Sequence, residues 1–210
     1  MPETEEHQIA TLHLTTGRDH HACHVFSIFP ESEELFAADI HVREIISRHG
    51  HAEWRAAVLT NELHGHLGIY AIIGVKMGVR ATELLHTGID DIHVTSFAGS
   101  TPPVSCMNDG LQVSTGGTVG HGLFSVSTEK DIRPSAVFTF KNKEVHMQLK
   151  SAYTEQIKQD ITTGIRMHGT HTQPYWQYVR KLAIRYWNLF DRKQLFIESI
   201  RDIPDGKKLQ

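Results

Sequence analysis

The chain has 210 residues, 40% of them hydrophobic and 21% charged, which suits one well-cored domain with an appendage. A formal net charge of −3 gives no sign of electrostatic attraction to nucleic acid, and none is expected as a partner. The longest apolar stretch, Leu67 to Val75, is cut by Lys76 and is too short to span a bilayer, and the acidic start MPETEEHQ lacks a signal-peptide pattern, so a soluble cytoplasmic protein is expected.

Residues 1–30 show no clear period and read as loop or edge strand. Pro30 followed by Glu31, Glu33 and Glu34 marks a helix start, with acids near the positive end of the dipole. Leu35, Val42, Ile45 and Ile46 recur at helical spacing, and Gly50 is the stop. A second short helix is expected over 52–63. The strongest helix follows over 67–86, with Ala71, Gly74, Gly78 and Ala81 lining one face. Such a stripe lets another backbone approach closely, in a packed core or at a dimer interface. Ile92 to Phe97 reads as a strand, and Ser105 as the N-cap of a short helix ending near Ser114. Strands are expected over 123–127, 136–140 and 144–149, with Lys141-Asn142-Lys143 turning the last pair. Beyond Ser151 the chain reads as helical, and Tyr175, Tyr178, Val179, Leu182, Tyr186, Trp187 and Phe190 make an apolar stripe suited to core or subunit interface. These elements predict an α+β fold in which a mostly antiparallel sheet packs with helices.

Sixteen histidines are the compositional oddity, and neutral imidazole is the commonest metal ligand. The two cysteines, Cys23 and Cys106, form no C-x-x-C pair and no disulfide framework. Two segments concentrate the chemistry. His64-Gly65-His66 stands just before the small-faced helix, where two imidazoles can share one metal if the backbone is extended or turned. Cys106 opens the next helix, with Asp109 three residues on and so on the same face. Asp109 could ligate, or could orient a ligating histidine from behind. A Gly-rich turn at Gly116-Gly117 leads to His121. His20-His21-Ala22-Cys23-His24 is also dense in ligand atoms but lies in an unpatterned segment, and is not expected to be the principal site. His168-Gly169-Thr170-His171 has no cysteine pair nearby and reads as loop histidines. No G-x-S-x-G elbow, P-loop or dinucleotide fingerprint is found.

Together the two segments resemble the FmdE family, proteins related to one component of formylmethanofuran dehydrogenase. His64-Gly65-His66, Gly74, Met77-Gly78 and Ala81 look like its first motif; Cys106, Asp109, Gln112, Thr115, Gly116, Thr118 and Gly120 look like its second. The resemblance covers roughly residues 52–155. It implies an FmdE-like core over 31–155, between an N-terminal extension (1–30) and a C-terminal helical extension (156–210). It further implies a metal centre and commonly a homodimer. One departure matters: where the family places a cysteine shortly after His-Gly-His, this chain has Gly68. The metal would therefore rely on His64, His66 and Cys106, with His121 as a substitute fourth ligand. A mixed His/Cys set suits zinc, though another transition metal fits too. If the chain is an enzyme, three protein ligands leave a position open to water or a small-molecule ligand, and Asp109 or His121 is the candidate general base. The alternative is a non-catalytic protein that handles metal or cofactor, or accompanies a redox enzyme.

Overall fold

A computed structural model describes Phe26, residues 28–89 and residues 91–203. The His20–His24 cluster and most of the segment expected as loop or edge strand lie outside these residues. Helix α1 runs from Val42 to His64, with a kink at Gly50, whose φ of 82° and ψ of 166° leave the helical region. The expected stop is thus a bend between two helical pieces. The expected start at Pro30 comes late. Glu33–Leu35 form a single 3-10 turn, and the Glu33 carboxylate instead accepts from the N–H groups of Val42 (3.2 Å) and Arg43 (3.0 Å). An acid does meet the positive end of the helix, but from nine residues upstream.

Helix α2, Ile69–Leu85, is buried along nearly its whole length. Its small-residue face meets α3, Met107–Thr115. A Cβ at Gly74 would lie 2.1 Å from the Met107 carbonyl oxygen, and one at Gly110 would lie 2.2 Å from the Ala71 carbonyl oxygen. Glycine at both positions is what lets the two helices cross backbone to backbone. This stripe is consumed inside the chain, so a second copy cannot dock on it.

The sheet has five strands in the order β2-β1-β3-β4-β5. These are β1 (His93–Ser96), β2 (Phe124–Val126), β3 (Ser135–Phe140), β4 (Lys143–Leu149) and β5 (Phe196–Asp202). Only β1 and β2 run parallel; the other pairings are antiparallel. Alternation puts Val94, Ala136, Phe138, Val145 and Met147 on the buried face, in a register that pairs Val94 with Phe138 and Phe138 with Val145. The β3–β4 turn falls where the sequence places it, with Lys141 at a φ of 54°. The α+β class and the mostly antiparallel sheet are therefore as expected.

Past Ser151 the chain is not helical throughout. Helices α4 (Ser151–His168), α5 (Gln173–Leu189) and the short α6 (Arg192–Leu195) are followed by β5, which pairs along β4 from Leu149↔Phe196 to Lys143↔Asp202. The aromatic stripe of α5 is mainly core: Val179, Leu182, Tyr186, Trp187 and Phe190 are buried, and Trp187 stacks on Trp54 at 5.4 Å.

A buried charge network ties the C-terminal segment to the helices. Lys76 and Glu53 are fully buried and paired with each other. Arg192 bonds Glu53 at 3.1 Å and Glu83 at 2.6 Å, while Arg80 bonds Glu198 of β5 at 2.9 Å. Burial pushes Lys76 below the usual lysine value, against the pull of Glu53.

Candidate metal centre

The His-Gly-His segment closes α1. His64 is its last residue, and Gly65 at a φ of 77° ends the helix by returning its N–H to the Asn61 carbonyl. Gly68 then stands at the N-cap of α2. Cys106 ends a 3-10 turn, Val104–Cys106, and serves as the N-cap of α3, so Ser105 does not cap that helix. The α2–α3 crossing brings the two motifs together.

His64 Nδ1 lies 2.6 Å from Asp109 Oδ2. A carboxylate can only accept, so the proton of a neutral ring sits on Nδ1 and the lone pair on Nε2. That Nε2 is buried and has no hydrogen-bond partner. Histidines that hold metals are oriented in this way, the second ring nitrogen bound to a carboxylate. The His66 ring packs 4.4 Å from that of His64, and its other neighbour is Trp176 at 5.4 Å. Burial of part of the His66 ring, with the nearby His64, lowers its pKa against a hydrogen bond that the ring donates to the His64 backbone carbonyl, so the neutral form that ligates metals is favoured.

His64, Cys106 and Asp109 share the wall of a cavity of about 430 Å³, together with Ser100, Ser105 and Phe124. Asn108 and Gln112 also reach it but are occupied. Asn108 accepts from Ser96 Oγ (2.6 Å) and donates to the Gly99 carbonyl (2.9 Å), while Gln112 Oε1 accepts from the Val119 N–H (3.1 Å). No lysine or arginine lines this wall among the described residues.

Two features depart from the simplest expectation. His66, exposed on one edge, lines a different cavity of about 390 Å³ with Trp54, Asn61, Arg180 and Trp187. Among the described residues, no three His, Cys, Asp or Glu side chains stand close enough to grip an ion as they are. Cys106 is half-buried, and burial together with the Asp109 charge raises its thiol above the ordinary value. The helix start therefore does not by itself make it a thiolate; a metal would have to displace the proton. His121 sits in the turn after α3, its Nδ1 3.1 Å from the Gly116 carbonyl oxygen, and does not line the wall shared by His64 and Cys106. Sequence reasoning missed Trp176 as the neighbour of His66, because α5 reaches the site only through the fold.

The model of the FmdE family, described as the molybdenum formylmethanofuran dehydrogenase operon, matches residues 63–194, well over half of the chain. No curated protein matches it. The match includes both motifs, the sheet up to β4 and helices α4 and α5. This chain belongs to the FmdE family.

Proposed function

We propose that this FmdE-family chain binds one transition metal, zinc foremost, through His64, His66 and Cys106, with Asp109 orienting His64. The observation that carries the reading is the bare, buried Nε2 of His64, set by the bond of Nδ1 to Asp109. A buried lone pair without a partner is costly, and a cation answers it. The shared cavity wall supports Cys106 as a companion ligand. His66 lies between Gly65 and Gly68, one ring contact from His64, and is the ligand that must turn toward the ion. Bound there, the metal would supply a Lewis acid or lower the pKa of a water.

Asp109 is the group whose role the geometry defines most sharply. Asp109→Ala is expected to weaken zinc binding by roughly 10–100-fold without abolishing it, as when a carboxylate behind a ligating histidine is lost. Competition with a chromophoric chelator measures this. Unchanged affinity would mean that Asp109 does not act on the metal, and complete loss would make it a ligand. His121, further off in its turn, is kept as a general base or a fourth ligand only if His121→Ala lowers activity or affinity.

The second reading is a non-catalytic accessory to a redox enzyme. Family membership supports an association with formylmethanofuran dehydrogenase, and the chain lacks a nucleophile or nucleotide motif. It need not exclude metal binding, because a metal can hold an interface.

We further propose a homodimer in the cytoplasm. With the α2 stripe covered by α3, the aromatic helix α5 is the interface proposed for it, with Trp176 and Leu189 exposed on it. Light scattering should give twice the chain mass at micromolar concentration; a monomer throughout that range would overturn it.

A further inference from the structure

The His66 ring stands between two others, His64 at 4.4 Å and Trp176, edge to face, at 5.4 Å and 64°. The two halves of the second contact are held differently. Trp176 belongs to the first turn of α5, where the Thr172 hydroxyl accepts from the Tyr175 N–H (3.2 Å) and the Trp176 N–H donates to the Thr172 carbonyl (3.1 Å). Its indole is braced by the rings of Tyr175 at 5.3 Å and His171 at 6.0 Å. The His66 ring instead rides on a short link flanked by Gly65 and Gly68, and donates locally to the His64 carbonyl. The indole is therefore the fixed half of the pair and the imidazole the movable half. Held there, His66 lines the cavity of Trp54 and Trp187, while His64, Cys106 and Asp109 share another wall.

We propose that Trp176 is a positioning residue for the metal centre: it holds the His66 ring on the Trp54–Trp187 side, so that ligation must break the indole contact. The inference rests on the metal-binding reading above. An aromatic edge contact is worth a factor of about 2–10 in an equilibrium, and here that factor counts against the metal. Trp176 thereby sets how tightly the site loads without touching the ion.

The test uses the full chain and zinc. Competition with a chromophoric chelator should show Trp176→Ala binding zinc about 2–10-fold more tightly than wild type, a gain that lost packing alone does not give. Trp176→Phe, which keeps an aromatic ring beside His66, should return the affinity towards the wild-type value. Trp176 stands outside the buried core, so Trp176→Ala should fold, and circular dichroism checks this. The indole N–H resonances of the wild type give a second readout. The chain has three tryptophans, and Trp176→Phe identifies the resonance of Trp176 by its loss. Zinc should move that resonance as the His66 ring departs. A Trp176→Ala chain that binds zinc equally or more weakly, or a Trp176 resonance that bound zinc leaves in place, overturns the inference and leaves the metal reading standing. A wild type that takes up no zinc removes both.

Discussion

Replacing Glu53 with alanine is expected to lower the melting temperature by roughly 10 °C. Glu53 and Lys76 are both fully buried, and Arg192, the second partner of Glu53, is largely enclosed. Deleting the carboxylate leaves an ammonium in the core with no counter-charge, which costs about 3–5 kcal/mol. For a domain of this size each kcal/mol shifts the midpoint by about 2–4 °C. The desolvation that already pushes Lys76 below its usual value then acts unopposed by Glu53. The double variant Glu53→Leu with Lys76→Met should recover most of the loss, because two apolar side chains of similar volume avoid the desolvation altogether. Thermal denaturation followed by circular dichroism measures both. A single variant within a degree or two of wild type would show that the pair does not hold the helices together.

Cys106→Ala and His66→Ala are each expected to lose the metal, with the fold retained. Three protein ligands leave no reserve, so removing one should cost far more than the roughly 10–100-fold expected for Asp109. Neither side chain belongs to the fully buried core: Cys106 is half-buried against it and His66 is exposed on one edge. Far-UV circular dichroism should therefore match wild type while the metal content falls. The His66 variant is the more informative of the two. Its ring lines the Trp54–Trp187 cavity, so retention of metal in His66→Ala would confine the site to His64, Cys106 and Asp109.

Local pattern made much of this fold readable. Alternating β-branched and aromatic residues located β1 to β4, and the two-residue turn after Phe140 set the register of β3 and β4. Gly74 and Gly78 at helical spacing foretold a close backbone crossing, although only the fold says that α3 fills it. Strand β5 escaped because Glu198, Ser199, Arg201 and Asp202 dilute its apolar residues, and pairing with β4 supplies the order that propensity does not. At the site, Asp109 on the cysteine's helical face was legible as a partner for a histidine, and it lies on His64. The direction of His66 was not legible. The turn at Gly65, in the left-handed region, does bring the two rings within 4.4 Å, but it leaves His66 on the wall of the Trp54–Trp187 cavity, a placement that spacing alone does not give. Lys76 could be seen to interrupt an apolar run, but its partner Glu53 lies on another helix, and no local rule joins them.

Elemental analysis of the purified, untagged chain tests the central claim most directly. One equivalent of zinc or another transition metal per chain is predicted for wild type, and close to none for Cys106→Ala. Equal metal in the two proteins, or a wild type that stays metal-free after exposure to zinc, would contradict it.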